Sequence, residues 1–296
     1  MVKNENFIMQ AKEIKTLQEL NLTDDFLFDV ATEELENCKT IIELTTGLRL
    51  KSLKWKSGQK VIHNFPGKRG IRLDFIAEAE DGRIFDVEMQ NRNEGNIPKR
   101  TRFYQALIDS PLLKSGERGF DKMNPLYIII ICNYDPYGER KYCYTFENQC
   151  REVPGLRLGD GVTKLLLSTK GENKEEVPKE LVDFLNYVTE SNEKGLPDEC
   201  DERLKRLHES IQEIKESADM EVEYMKMEER ERIIRDEGKK VGRIETILEI
   251  LEDKGELPEE VGMKIGAETN LEVLKKWLRL AVKSETIEEF CKEMDK

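Results

Sequence analysis

Apolar and polar residues alternate through two neighbouring segments, Ile71 to Ala79 and Arg83 to Asn91, separated by Glu80-Asp81-Gly82. Period-two alternation marks half-buried strands, and an Asp-Gly step between two such runs marks a hairpin. The pattern also sets the register. A two-residue loop would place carboxylates opposite apolar residues along both strands. A three-residue loop, a type I turn with Gly82 in the left-handed position, pairs Ala79 with Arg83 and keeps both faces consistent. Leu73, Phe75 and Ala77 then face Met89, Val87 and Phe85. On the other side Asp74 faces Glu88, Arg72 faces Gln90 and Ile76 faces Asp86.

The continuous apolar run PLYIIIICN, Pro125 to Asn133, predicts a strand buried on both faces. Shorter strands are expected at Lys60 to Phe65, Lys141 to Phe146 and Lys164 to Ser168. A helical region starts at Thr23, carries Leu35, Cys38, Ile41 and Ile42 at helical spacing, and ends at Gly47. Pro98 to Leu107 reads as a helix with Phe103, Ala106 and Leu107 on its apolar side. Together these predict an α/β fold, a mixed sheet flanked by helices. Beyond Gly171 helix formers dominate. Leu204, Leu207, Ile211, Ile214 and Ala218 follow heptad spacing, which predicts a short coiled coil near 201–222. Further helices are expected at Arg243 to Asp253, Pro258 to Ile265 and Leu271 to Lys283. The chain therefore divides into a core, 1–170, and an acidic helical C-terminal region, 171–296.

Charge sharpens that division. The 296 residues carry a net charge of −13, which as a whole argues against nucleic acid as a partner. Yet residues 1–170 are balanced, with 26 Lys+Arg against 25 Asp+Glu, while residues 171–296 hold 22 against 36. From Leu44 to Leu73 there is no acidic residue, but Arg49, Lys51, Lys54, Lys56, Lys60, Lys68, Arg69 and Arg72 are basic. Such a block is either a solvated loop or a track for a phosphate backbone. No apolar run approaches the roughly 18 residues of a membrane span, and the first residues have no signal-peptide pattern, so the expected location is cytoplasmic. The six cysteines are scattered without a CxxC pair and there are only two histidines. That spacing disfavours a zinc site or disulfide framework, and the histidine count disfavours imidazole-based chemistry.

The hairpin register has a chemical consequence. Directly opposite residues have Cβ atoms about 5 Å apart, and like charges there repel. Asp74 and Glu88 are either an exposed pair screened by water and Arg72, or hard oxygen ligands for a divalent cation. Asp86 reads as peripheral.

Asp74, a hairpin turn, then Glu88-x-Gln90 resembles the PD-(D/E)XK nuclease signature with Gln in the Lys place. The wider text, with DDFLF, RLDF, DGRIFDVEMQ, PKRTRFYQALI, the block ending in NPLYIIII and the tail LEVLKKWLRLAVKSETIEEF, is similar to the PD-(D/E)XK nuclease family transposases, also described as recombination-promoting nucleases. The resemblance implies a restriction-endonuclease-like core and Mg²⁺-dependent (or Mn²⁺-dependent) hydrolysis of phosphodiesters in double-stranded DNA, with RNA as the alternative substrate. It places Asp74 and Glu88 as metal ligands with Gln90 beside them as the catalytic set. Glu43 resembles the upstream acidic residue of many superfamily members, though a solvated helical Glu is the plainer reading. Arg100 and Tyr104, four apart on one helix, match the family's Arg and Tyr positions and would grip phosphate; the plainer roles are an exposed Arg and a core-edge Tyr. Arg72, Lys68 and Arg69 are the further phosphate-binding candidates. Gln90 lacks the positive charge of Lys, which leaves a second reading open: a weak or inactive nuclease fold that binds DNA or self-assembles. The helical C-terminal region is the expected homodimer interface.

Overall fold

A computed structural model describes residues 15–58, 61–62, 71–72, 74–113 and 119–294, with side chains described except at 55–58, 61–62, 71–72 and 122. The chain forms two compact units, Met1–Glu221 and Val222–Lys296.

Unit 1 opens with two short helices, α1 (Asp25–Ala31) and α2 (Leu35–Thr46), where the sequence suggested one continuous region. α2 ends at Gly47, whose φ of +70° is the left-handed cap that glycine adopts without a Cβ penalty. The strands follow: β1 (Leu53–Gly58), β2 (Val61–Ile62), β3 (Ile71–Arg72), β4 (Phe75–Ala79) and β5 (Ile84–Gln90). Then come α3 (Ile97–Asp109), β6 (Leu126–Cys132), β7 (Cys143–Phe146) and β8 (Val162–Ser168). The main sheet has six strands in the order β1-β4-β5-β6-β8-β7. Its β1-β4-β5 side is antiparallel, β5-β6-β8 is parallel, and β7 returns antiparallel to β8. The parallel step from β5 to β6 needs a crossover, and α3 is its helix.

The β4–β5 hairpin has the register that the alternation selects: Phe75 opposite Val87, Ile76 opposite Asp86 and Ala77 opposite Phe85. Ala79 N–H donates to Arg83 O, Gly82 N–H donates to Ala79 O, and Gly82 has φ +89°. The upstream half differs from expectation. Ile71 and Arg72 pair with Ile62 and Val61 in a separate two-stranded ribbon, so the run from 71 to 79 is two strands and Asp74 lies at the bend before the second. Of the strand expected at Lys60 to Phe65, only Val61 and Ile62 lie within the described residues.

Both faces of β5 and β6 are covered, which explains their apolar content. Phe28 of α1 packs on Phe75, their ring centroids 6.4 Å apart, on the face shared with Phe85 and Val87. The other face packs under α3, where Ile97, Tyr104, Leu107 and Ile108 join Ile76, Ile84, Ile128 and Ile130. The buried stripe of α3 is thus Ile97, Thr101, Tyr104, Leu107 and Ile108; Phe103 and Ala106, expected on the apolar side, are exposed.

Residues after 171 are helical: α4 (Lys179–Thr189), α5 (Glu202–Glu216), α6 (Ala218–Glu252), α7 (Glu259–Ala267), α8 (Leu271–Lys283) and α9 (Ile287–Met294). α4 and α5 pack on α2, and α5 also on α1, so they belong to unit 1. The heptad-spaced Leu204, Leu207 and Ile211 are buried there; Ala218 is exposed and lies past the helix end at Ser217. Unit 2 has its own core of Ile247, Leu251, Ile265, Leu274, Trp277, Ala281, Phe290 and Met294, and Trp277 Nε1 donates to Met294 O. Among the described residues no helix is long and apolar enough to cross a membrane.

Candidate active site

The β4–β5 ladder ends at Phe75 and Val87, and carboxylates carry it one step further. Asp74 N–H donates to Glu88 Oε1 at 3.1 Å, and Met89 N–H donates to Asp74 Oδ2 at 2.8 Å. This reciprocal clasp holds the two acids side by side, as the register requires. Each side chain takes an N–H at the bend where β4 gives out.

Asp86, Glu88 and Gln90 alternate along one face of β5, the face beneath α3. The alternation marks this side as polar, but it is not solvated. Glu88 is 1% exposed and Asp86 0%. Asp86 is therefore central rather than peripheral. It sits between Ile76 on β4 and Ile128 on β6, and neither of its carboxylate oxygens has a hydrogen-bond partner among the described residues. Burial pushes the Asp86 carboxyl well above the ordinary carboxylate range, the Asp74 charge pushes it further, and Arg100 pulls it back. Burial likewise raises Glu88, reinforced by Asp86 and Asp74 and opposed by the Asp74 N–H and Arg100.

The neighbouring cation comes from α3. Arg100 Nη1 donates to Gln90 Oε1 at 2.7 Å, and its Nε donates to the Tyr104 hydroxyl at 2.7 Å. The guanidinium also lies 5.5 Å from the Tyr104 ring centroid. Burial alone would lower the Arg100 pKa, but the Tyr104 hydrogen bond and the nearby Glu88 and Glu94 carboxylates carry it above its usual value. Burial, aided by Glu88, pushes the Tyr104 phenol up to about 12, so it stays protonated near neutrality. Gln90, Arg100, Thr101 and Tyr104 line a shallow cleft closed by Ile97 and Ile130.

The structure thus brings together Asp74, Glu88, Gln90, Arg100 and Tyr104, and adds Asp86. Glu43 is engaged in a different network. Its Oε1 accepts the Leu50 N–H at 2.7 Å, and its Oε2 lies 3.3 Å from Arg203 Nη1 and 3.8 Å from Arg49 Nη1. Lys68 and Arg69 lie outside the described residues. The Arg72 backbone pairs with Val61 rather than opposite Gln90, and its side chain is also outside them. The cation against Gln90 is Arg100 instead. His208 is buried within unit 1, bonded to Tyr187 and Glu193. One signal for Asp86 was present in the sequence: period two sets it on the face of Glu88 and Gln90, while the covering of that face by α3 is visible only in the fold.

The carboxylate oxygens of Asp74, Asp86 and Glu88 are hard donors, a set that suits Mg²⁺ or Mn²⁺. Among the described residues no three His, Cys, Asp or Glu side chains already stand as a metal cage.

Residues 57–243, more than half of the chain, match the profile of the PD-(D/E)XK nuclease family transposases. Neither the curated proteins nor the solved structures include a significant match. The six-stranded mixed sheet, its flanking helices and its helical C-terminal region agree with that family's fold. The chain belongs to the PD-(D/E)XK nuclease family transposases.

Proposed function

We propose that this protein is an endonuclease that hydrolyses phosphodiester bonds in double-stranded DNA with the help of Mg²⁺ or Mn²⁺. The observation that carries this reading is the clasp between Asp74 and Glu88 at the head of β4, with Arg100 bonded to Gln90 on the adjoining helix. In this reading Asp74 and Glu88 hold the cation. When bound, such an ion polarises a phosphoryl oxygen and makes a water molecule more acidic.

The chain's own residues position the substrate. Arg100 has five N–H donors and spends two of them on Gln90 and Tyr104. The others are available to a phosphate oxygen, and Tyr104 fixes the plane of the fork that presents them. Gln90 carries no charge but orients Arg100, so the positive charge comes from α3. Arg72, Lys68 and Arg69, in the acid-free block ahead of Asp74, are assigned to the DNA backbone.

The division of labour follows the charge. The core, 1–170, carries the cutting site, and the acidic region, 171–296, repels phosphate and carries self-association as a homodimer. Exposed Met225, Ile233, Ile234 and Val241 on α6 support that assignment. The free thiols suit the reducing cytoplasm.

The test is plasmid cleavage by the parent with Mg²⁺, with EDTA, and by Asp74→Ala and Glu88→Ala. Cleavage by the parent alone, and only with the cation, is expected. Two variants that cut as well as the parent would overturn the site. DNA retained on a gel by a parent that never cuts would favour a binding role instead. A monomer by light scattering at micromolar concentration would count against the dimer.

A further inference from the structure

We propose that Asp86 is a third acidic residue of the cation site, so that Asp74, Asp86 and Glu88 together take one hard divalent cation. This deepens the reading of the chain as a cation-dependent nuclease and rests on it.

The first observation is an exception. Elsewhere unit 1 gives its buried charges protein partners. Glu43 has Leu50 and Arg203, Arg203 has Asp201, Asp183 has Lys179, and Lys215 has the Ser191 carbonyl. Asp86 is 0% exposed, yet among the described residues both of its oxygens lack a partner. A buried polar group left unsatisfied destabilises the fold, and more so when charged. Protonation would not remove the defect, because the neutral acid still presents an O–H donor with nothing to receive it. Packing does not call for a carboxylate either, since the cross-strand neighbours are Ile76 and Ile128.

The second observation is where the side chain sits. Asp86 is two residues from Glu88 on one face of β5, and its charge interacts with Asp74 and Arg100. The cation that α3 supplies, Arg100, is bonded to Gln90 and Tyr104 rather than to Asp86. Carboxylate oxygens are the hard donors that a divalent cation takes, and Asp86 adds its two to those of Asp74 and Glu88. Asp74 and Glu88 each spend an oxygen on a backbone N–H, and the three acids are not yet a cage. Capture therefore draws side chains towards the ion rather than finding a finished site.

The test uses the full chain without DNA. Mn²⁺ binding is followed by the loss of the free-ion paramagnetic resonance signal at pH 7.5, and melting is recorded with and without Mn²⁺. The variants are Asp86→Asn, close in shape to the parent, and Asp86→Ser, as a second route should the first not fold. Expected results are a Mn²⁺ affinity lower by about tenfold or more in both variants, and a smaller rise in melting temperature on adding Mn²⁺. A variant that binds Mn²⁺ as tightly as the parent overturns the inference and leaves the nuclease reading intact. A parent that binds no Mn²⁺ and cuts no plasmid overturns both.

Discussion

Replacing Arg203 by Met tests whether Glu43 is part of the scaffold or part of the catalytic group. The Arg203 side chain is 10% exposed; its Nε and Nη2 each lie 2.8 Å from an Asp201 oxygen, and Nη1 lies 3.3 Å from Glu43 Oε2. Asp201 is also the N-cap of α5, accepting the Arg203 N–H, and Glu43 lies on α2. The guanidinium therefore ties the start of α5 to α2 across 160 residues of sequence. Methionine keeps most of the aliphatic stem and removes only the charge and the fork. Glu43 would be left 7% exposed beside Arg49, which is 72% exposed and 3.8 Å away. Removing one partner of a buried pair costs about 3–5 kcal/mol. The Leu50 N–H and the distant Arg49 soften this towards about 3 kcal/mol.

Hydrogen exchange resolved by peptide reads this locally, without assuming that two units unfold together. A loss of about 3 kcal/mol speeds exchange through the corresponding opening by roughly 100-fold. Peptides of α2 and α5 should show it, and α8 in unit 2 should not. Adding Glu43→Gln to Arg203→Met removes the stranded charge, so the double variant should recover part of the loss. Glu43→Gln alone should leave cleavage per folded molecule unchanged. Parent-like exchange in Arg203→Met, or a double variant no better than the single, refutes the scaffold role. Loss of cleavage in a stable Glu43→Gln protein would return Glu43 to the catalytic group.

Other expectations follow from single contacts. The Arg203 hydrogen bonds hold the Asp201 carboxyl down to about 2, so its stabilisation is present above the ordinary pKa near 3.8 and is lost as pH falls through about 2. Asp201→Asn should therefore melt below the parent at pH 6, by an amount worth roughly 1–2 kcal/mol after solvent screening, and the gap should close towards pH 2; a constant gap would refute the linkage. Gly82→Ala forces a φ of +89° on a residue with a Cβ, which would lie 3.1 Å from Asn124 Nδ2, and should cost about 1–2 kcal/mol. An unchanged melting temperature would refute that turn. Arg100→Lys keeps the charge but cannot span Gln90 and Tyr104 with one planar fork; losing a charge-assisted bond of about 1.5–3 kcal/mol predicts cleavage slower by about 10–100-fold. Parent-like cleavage would remove Arg100 from the site.

What could be read from the chain depended on the range of the interaction. The hairpin register was legible because alternation and the turn are local and a one-residue slip inverts every side chain. Strand β6 was legible because its run is apolar throughout. The break between Arg72 and Asp74 was not, since Ile71 and Arg72 continue the same alternation while pairing with Val61 and Ile62. The α3 stripe was misplaced because Tyr104 and Thr101 face the sheet while Phe103 does not, and polarity alone cannot rank them. Arg203 was invisible as a partner for Glu43 because nothing local links residues 160 apart. Asp86 is the instructive case. Period two shows which residues share a face, but the covering of that face by Ile97, Tyr104 and Ile108 is a tertiary fact.

The glutamine in the lysine place takes on a different meaning once Arg100 is seen. Read along the chain, Gln90 is a loss: an amide where the superfamily pattern has a cation. In the fold its carbonyl oxygen accepts Arg100 Nη1, and an ammonium there would set donor against donor. The substitution and the arginine thus act as a pair. Positive charge reaches the carboxylates from α3 through a rigid fork that Tyr104 holds, rather than from a flexible stem on β5. A lysine on β5 could swing to Asp86 or Glu88 and neutralise it. Arg100, bonded to Gln90 and Tyr104 rather than to Asp86 or Glu88, leaves the oxygens of both acids to the cation in the proposed reading.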